Sequence, residues 1–306
     1  MKRINRAILQ SAFRVAKSAK VKSIFVSLDS LKELPDHDPP KGCSIILVTR
    51  LRQDELENLF PNGAPASRPI IHLPRVDMTR MSQIKMAVVL AISLNLIELG
   101  DKIVFVTGVP DRDTLDAVLF LDTAKESEVL TSQGVNGISD NVKPEVFQVT
   151  LGIALELSTR GREGKPVGTI FVMGDEEKVL QLSKQMIINP FKGYTDDERN
   201  ILNPGLRETM REFSALDGAF VISDEGLVLT AGRYLGAASD EATLPRGLGS
   251  RHIAAAGITA LTKAIAIVIS ESTGDVRIFK NGKILMEIEK PVRVSRGPLE
   301  EQGGIK

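Results

Sequence analysis

The first 135 residues alternate between helical and strand-like patterns of apolar positions. Apolar side chains first recur at the spacing of one helix face, at Ile4, Ile8, Ala12 and Val15. Short runs that are apolar throughout follow at 24–26, 45–48, 70–71 and 103–106. Such runs, separated by helices, are typical of parallel strands covered on both faces. Residues 86–99 predict a buried helix that ends at Gly100. We therefore predict an α/β domain with a parallel sheet.

The remainder of the chain predicts a second α/β domain, with a mixed sheet and flanking helices. Helices are expected at 144–158 and 180–186, and strands at 168–172, at 219–222 and within 275–288. Hairpin turns are expected at 223–226 and at Lys280-Asn281-Gly282, which carries the strongest short turn signal. Turn-rich residues around 132–141 indicate a linker. The predicted organisation is a first domain at 1–135, a linker at 136–143, a second domain at 144–290 and a polar, frayed tail at 291–306.

Composition and charge mainly exclude classes of function. Lys plus Arg and Asp plus Glu number 39 each, so no general basic field for nucleic acid or an anionic membrane is expected. The single cysteine, Cys43, excludes an intrachain disulfide and a multi-cysteine zinc site. The longest uncharged apolar run, 86–97, is shorter than the roughly 20 residues that a membrane span requires. We therefore expect a cytoplasmic protein that binds neither membrane nor nucleic acid.

Two short motifs in the second domain indicate a phosphate site. Asp217-Gly218-Ala219 places a carboxylate beside two very small residues, so that a ligand can lie against the backbone. Gly249-Ser250-Arg251-His252 comes just before an alanine-rich stretch that predicts a helix. The N–H groups and dipole of a helix N-terminus favour an anion, and arginine can bind phosphate through two parallel hydrogen bonds.

Together with their surroundings, these motifs resemble the diadenylate cyclase (DAC) family over about residues 147–288. Seven blocks occur in the family's order: Gly161-Arg162-Glu163-Gly164-Lys165-Pro166-Val167-Gly168, Phe171-Val172-Met173-Gly174-Asp175, Asn189-Pro190-Phe191-Lys192-Gly193-Tyr194, Leu216-Asp217-Gly218-Ala219, Arg233-Tyr234-Leu235, Gly249-Ser250-Arg251-His252 and Ser270-Glu271-Ser272-Thr273-Gly274. Residues 100–108 are similar to part of the C-terminal domain of pyruvate kinase. A domain of that kind ahead of a cyclase domain is what archaeal members of the family look like.

The resemblance implies an enzyme that condenses two ATP into cyclic di-AMP and two pyrophosphates, with Asp217, Arg251 and His252 as catalytic residues. It implies that Asp217 lies at the ribose and holds Mn²⁺ or Mg²⁺, with Gly218 and Ala219 leaving room for the ribose. The remaining ATP-binding residues that it implies are Leu235 at the adenine, Gly249, Ser250, Arg251 and His252 at the triphosphate, and Ser270 and Glu271 near the distal phosphates. A core leucine remains the alternative for Leu235, and a solvated turn residue for Glu271.

The chain departs from the family pattern at two positions. Ile253 stands where the family often has a basic residue, and Arg246 is a candidate to replace that contact. Leu216 stands where some relatives carry a metal-binding histidine, which leaves a metal to Asp217, phosphate oxygens and water. Such an oxygen shell suits Mg²⁺ or Mn²⁺ and not zinc.

The family's architecture also implies a homo-oligomer, because one domain has room for one ATP and two must face each other. The alternative to an active cyclase is a degenerate one that binds ATP or cyclic di-AMP and regulates a partner. For the N-terminal domain we favour a scaffold or an oligomerisation role. An effector site at Thr107-Gly108 is the alternative, although Asp111 and Asp113 would repel an anion there.

Overall fold

The computed structural model describes residues 1–33, 38–60, 68–110, 112–125, 141–161, 164–165, 167–236 and 247–290. Most of the predicted linker and the whole of the predicted tail lie outside the described residues. So do His37, Asp111 and Arg246, together with Arg162, Glu163 and Pro166 of the first family block. The predicted replacement of a phosphate contact by Arg246 therefore stays a prediction.

The N-terminal half contains a five-stranded sheet in the order β3-β2-β1-β4-β5. The strands are β1 (Ser23–Ser27), β2 (Ser44–Thr49), β3 (Ile70–His72), β4 (Lys102–Val109) and β5 (Thr114–Asp122). The first four are parallel, as their uninterrupted apolar runs predict. Strand β5 was not predicted, and it pairs antiparallel with β4 at the edge of the sheet. The connection of β4 to β5 is too short for a parallel crossover, so the chain must reverse there.

The first helix buries a different face from the one predicted. Helix α1 (Arg3–Ser18) exists as expected, but its fully buried residues are Asn5, Leu9, Ala12 and Ala16. Ile4 is 51% exposed. Asn5 turns inward because its side chain completes the start of β5. Its carbonyl oxygen accepts from the Leu115 backbone N–H at 2.9 Å, and its amide donates to the Asp113 carbonyl at 3.1 Å.

Two further helices cover the N-terminal sheet, α2 (Gln53–Leu59) and α3 (Arg80–Ser93). Helix α3 is buried along almost its whole length, as predicted. It ends at Ser93 and not at Gly100, since Asn95 already adopts a left-handed backbone conformation with φ of 55°.

The C-terminal half contains a seven-stranded mixed sheet in the order β12-β11-β10-β6-β8-β9-β7. Its strands are β6 (Ile170–Met173), β7 (Ser183–Gln185), β8 (Ala219–Ile222), β9 (Val228–Leu235), β10 (Ile265–Ile269), β11 (Val276–Lys280) and β12 (Lys283–Ile288). Strands β6 and β8 are parallel, and every other pair is antiparallel. Both predicted hairpins are present. Asn281 and Gly282 have φ of 51° and 75°, the left-handed pair that a tight two-residue turn requires.

Four helices flank this sheet: α4 (Pro144–Arg160), α5 (Glu176–Gln181), α6 (Leu206–Phe213) and α7 (Ser250–Leu261). The predicted helix at 180–186 is wrong, because α5 ends at Gln181 and the chain then forms β7 on the free edge of β9. Arg233 of β9 fixes this reversal by donating to the Leu180 and Ser183 carbonyls at 2.8 and 2.7 Å. Burial lowers the pKa of the Arg233 guanidinium.

The two halves share one apolar core. Helix α3 contacts α4 and β12, and buried side chains from both sheets form one continuous cluster. Polar contacts reinforce this packing. The Lys85 ammonium donates to the Glu287 carbonyl at 3.2 Å, and the Ser82 hydroxyl to the Glu289 carbonyl at 3.3 Å. The domain boundaries at 135 and 143 stay predictions.

Among the described helices, none combines the length and the apolar character that crossing a membrane requires.

Candidate active site

The topology of the C-terminal sheet brings the predicted motifs to one edge, the one at which strands β6 and β8 begin and strand β10 finishes. Strands β6 and β8 are parallel, so Gly168 and Asp217, which come just before them, lie at the same edge. Strand β10 runs antiparallel to β6, so Ser270 and Glu271, which follow β10, lie at that edge too. Helix α7 leads back to the start of β10, and its first turn therefore also lies there. Residues far apart in sequence thus meet because of strand direction.

Arg251 is the residue that connects the motifs. Its guanidinium lies 2.8 Å from a Glu271 carboxylate oxygen and 3.9 Å from a carboxylate oxygen of Asp217. Asp217 is 87% exposed, and one of its oxygens accepts from the Gly218 backbone N–H at 3.0 Å. The site therefore places one cation between two carboxylates, with the Asp217 side chain largely free for a ligand.

The first turn of α7 adds backbone donors to this group. Gly249 is the N-cap residue and Ser250 the first helical residue, and no side chain caps this helix end. Both are exposed. Uncapped N–H groups at the start of a helix favour an anion. The predicted pairing of a phosphate-binding helix start with Arg251 is consistent with this geometry.

His252 points inward. Only 5% of it is exposed, its Nε2 lies 3.0 Å from an Arg277 guanidinium nitrogen, and its ring packs 6.1 Å from that of Phe279. Burial, reinforced by Arg277 and Arg251, lowers the pKa of His252 to about 4. The ring is therefore neutral at physiological pH and adds no positive charge to the site.

The remaining predicted residues divide between the cavity and the core. A cavity of about 350 Å³ lies against the start of α7, lined in part by Gly249, Ser250, Arg251, His252, Ser270, Glu271 and Arg277. Leu235 packs instead in the apolar cluster of β9, β10 and α7, as does Ala219. The side chains of these two residues thus have a core role here, and their contact with ATP stays a prediction.

Two glycines keep the site open. Gly218 has φ of +102°, and a methyl group on it would lie 2.7 Å from the Arg233 backbone nitrogen. A methyl group on Gly168 would lie 2.7 Å from an Arg251 guanidinium nitrogen and 2.8 Å from Glu271 Cβ. The sequence analysis did not assign Gly168 to the site, although it is the last glycine of the first family block.

The donors at this edge fit a hard divalent ion only in part. Among the residues that the structure describes, no group of three or more His, Cys, Asp and Glu side chains is close enough to hold a metal. Asp217 offers an exposed carboxylate of the type that Mg²⁺ and Mn²⁺ prefer. A metal here would take its other ligands from phosphate and water.

Two family models match the chain. One, described as the DAC family of DisA bacterial checkpoint controller nucleotide-binding domains, matches residues 156–284. The other, described as the probable sensor domain DacZ_P, matches residues 5–131. The diadenylate cyclase of Methanocaldococcus jannaschii is 35% identical over 257 residues, which cover 81% of this chain and 79% of the relative. This chain belongs to the diadenylate cyclase family.

A second archaeal diadenylate cyclase, from Haloferax volcanii, is 34% identical over 235 residues, covering 76% of this chain and 84% of that one. Among solved structures, DacA from Staphylococcus aureus matches 46% of the chain and 84% of its own, at 25% identity and a TM-score of 0.34. A match to a pyruvate kinase from Cryptosporidium parvum covers 40% of this chain and 23% of the pyruvate kinase, at 20% identity and a TM-score of 0.30. Both TM-scores are low, and the likeness to pyruvate kinase is weak.

The N-terminal half of the chain contains the region of the predicted effector site. Thr107 is buried, while Gly108 lines a cavity of about 310 Å³ beside Arg50. A larger cavity, about 680 Å³, lies at the carboxyl ends of β1 and β2, and its wall includes Arg50 and Asp113. The Lys32 backbone N–H, followed by the Lys2 ammonium, lowers the pKa of Asp113. Its negative charge therefore persists, and an effector site here stays a prediction.

Proposed function

We propose that this chain is an active diadenylate cyclase, which joins two ATP into cyclic di-AMP and releases two pyrophosphates. The observation that supports this most directly is the position of Arg251, between the carboxylates of Asp217 and Glu271 at the start of α7. A cation, a helix N-terminus and an exposed carboxylate together match what nucleotidyl transfer requires: positioning, and stabilisation of charge on phosphate.

Each of the two bonds forms in the same way. The 3′-oxygen of one ATP attacks the α-phosphorus of the other, and the bond from that phosphorus to the bridging oxygen of the β-phosphate breaks. The exposed Asp217 carboxylate orients the attacking hydroxyl and accepts its proton. Its position before β8, with Gly218 held against β9, fixes the carboxylate at the sheet edge.

The triphosphate is held by the opposite wall of the site. Backbone N–H groups of the first turn of α7, the Ser250 hydroxyl and the Arg251 guanidinium provide the donors. The Arg251 guanidinium pairs with the Glu271 carboxylate. A bound phosphate must therefore either share the Arg251 guanidinium with Glu271 or displace Glu271 from it. Because Glu271 already holds the guanidinium in place, the guanidinium needs less reorganisation during the reaction.

Asp217 would hold a bound Mg²⁺ or Mn²⁺, which would neutralise charge on the triphosphate. Leu216 contributes no metal ligand, so the protein's share of the coordination rests on this one carboxylate. The low number of protein ligands is compatible with Mg²⁺, which commonly keeps several waters and substrate oxygens.

Cyclic product requires two such sites to face each other. Each chain contributes one α7 start with one Asp217 beside it, so the hydroxyl and the phosphate that react come from ATP molecules on different subunits. We propose a homo-oligomer for this reason, in the cytoplasm, where ATP is available.

The test is to incubate the purified full chain with ATP and Mn²⁺ and to separate the nucleotides by chromatography. We expect cyclic di-AMP and pyrophosphate in a ratio of one to two, and no product when a chelator removes the metal. Binding of ATP without any product would support the alternative, a degenerate cyclase with a regulatory role.

A further inference from the structure

A chain of largely buried polar side chains lies behind the start of α7. Arg277 of β11 extends one guanidinium nitrogen to His252 Nε2 at 3.0 Å, and another to the carboxylate of Glu287 on β12. Asp275 lies 3.7 Å from the same guanidinium. The Arg277 side chain is only 13% exposed. The Arg277 guanidinium is therefore held by His252 through one nitrogen and by the two carboxylates through another.

The contact with Arg277 determines which nitrogen of His252 carries the proton. A guanidinium can only donate hydrogen bonds, so the imidazole nitrogen that faces it must be the acceptor. His252 Nε2 is thus unprotonated, and the proton of the neutral ring lies on Nδ1. Burial, together with the positive charges of Arg277 and Arg251, lowers the pKa of His252 by more than the Gly249 backbone contact and the Asp275 carboxylate raise it, so the ring is neutral.

The Nδ1–H group of His252 has no acceptor at hydrogen-bond geometry, although the Gly249 carbonyl is near enough to act on the ring. This N–H group is buried and has no hydrogen-bond partner among the residues that the structure describes. A buried donor without a partner is unfavourable, because it has given up its hydrogen bonds to water and gained none in return. Because His252 lines the cavity at the start of α7, a ligand oxygen entering that cavity can supply the missing acceptor after a small local shift.

The same chain of contacts reaches the N-terminal half. The backbone carbonyl of Glu287 accepts from the Lys85 ammonium of α3 at 3.2 Å. Glu287 therefore contacts α3 through its backbone and Arg277 through its side chain. Starting from α3, Lys85 contacts Glu287, Glu287 contacts Arg277, and Arg277 contacts His252, which lines the cavity.

We propose that Arg277 is a positioning residue of the nucleotide site, which holds His252 as an Nδ1–H donor for a phosphate oxygen and ties the first turn of α7 to the sheet. The proposal rests on the proposed function in identifying the cavity ligand as the triphosphate.

The decisive measurement is ¹⁵N NMR of the histidine side chains in the full chain, which distinguishes the two neutral tautomers and the cation. The chain has only 3 histidines, so His37→Gln and His72→Gln variants assign the His252 signals. We expect the Nδ1–H tautomer in the wild type at pH 7 and at pH 6. We also expect ATP, and not adenosine, to shift the Nδ1 signal.

Substitution of Arg277 gives the second part of the test. Arg277→Met removes the donor to His252 and the ion-pair partner of Asp275 and Glu287, so the proton should redistribute toward Nε2 and the pKa of His252 should rise. We expect KM for ATP to rise about tenfold, the value of one hydrogen bond. Arg277→Lys keeps a donor and should restore much of both effects. Lys283→Met, at an exposed position of β12, is the matched control.

An Nε2–H tautomer in the wild type would overturn the proposal, and so would an unchanged His252 spectrum in Arg277→Met. If Arg277→Met does not fold, the wild-type spectrum and the Arg277→Lys variant still test the assigned tautomer of His252. The tautomer is measured without turnover. A chain that makes no cyclic di-AMP but shows the Nδ1–H tautomer and its ATP response would therefore refute the proposed function and not this inference.

Discussion

Asp217 is the more exposed of the two carboxylates beside Arg251, and it has the simpler test. Asp217→Asn keeps the shape of the side chain and removes the charge needed at the hydroxyl and the metal. We expect synthesis of cyclic di-AMP to be abolished while ATP binding is largely retained. Product formation is measured by chromatography and binding by calorimetry. Asp224→Asn, at an exposed position in the turn between β8 and β9, is the control and should be active. A rate for Asp217→Asn within about tenfold of wild type would contradict the assigned role.

Arg251 is expected to act on phosphate and not on the base or ribose. Arg251→Ala should weaken the binding of ATP by about 1.5–3 kcal/mol, the value of a hydrogen bond to a charged group, and should leave adenosine binding nearly unchanged. The loss can be larger because Glu271 is then an unpaired negative charge beside the triphosphate. Calorimetry with both ligands measures the difference, with Arg211→Ala on α6 as a control. An equal loss for ATP and adenosine would show that the assignment is wrong.

At the scale of elements, α4 carries a glycine where it approaches the N-terminal half. Gly152 lies in the middle of α4, and a methyl group there would meet Pro74 Cγ at 3.8 Å, an ordinary van der Waals contact. Alanine in a helix interior is more favourable than glycine by about 0.5–1 kcal/mol. Gly152→Ala should therefore stabilise the chain by that amount.

Urea unfolding of the full chain measures this stabilisation as an increase in the transition midpoint at an unchanged slope. Gly152→Leu is the informative counterpart, since its longer side chain exceeds the space beside Pro74 and should separate α4 from the N-terminal half. A destabilising Gly152→Ala would mean that the two halves pack more closely at this point than the structure indicates.

At the scale of the whole molecule, the proposed homo-oligomer would link assembly to catalysis. If the reacting groups come from ATP molecules on two subunits, the rate per subunit must fall wherever dilution separates the facing sites. We expect this fall in a hundredfold dilution series of the full chain, at the concentration where the oligomer dissociates in ultracentrifugation. A flat rate across that dissociation would exclude a shared site.

Mixing inactive variants provides the control for this reasoning. In the proposed mechanism, each bond needs Asp217 at the attacking hydroxyl of one subunit and Arg251 at the phosphate of the other. A mixed pair of Asp217→Asn and Arg251→Ala subunits retains these groups for one of the two bonds only. We therefore expect linear dinucleotide from the mixture, and neither linear nor cyclic product from either variant alone.

The sequence by itself determined the elements whose signals are local. Uninterrupted apolar runs specified the parallel strands, and Asn281-Gly282 specified its hairpin, because both depend on neighbouring residues alone. The order of the family blocks identified the cyclase half. Strand β5 and the inward turn of Asn5 depend on contacts between distant residues, and these were not predicted.

Only the tertiary structure decided how the site is assembled. Strand direction, which no motif encodes, brings Gly168, Asp217 and Glu271 to one edge. A bulge between Ile278 and Phe279 shifts the register of the last hairpin, so that Glu287 faces Arg277 where simple counting from the turn would give Met286. That register holds Arg277 beside Glu287, and the proposed tautomer of His252 depends on Arg277. A motif therefore specifies which groups are available, whereas pairing between distant strands determines what each group contacts.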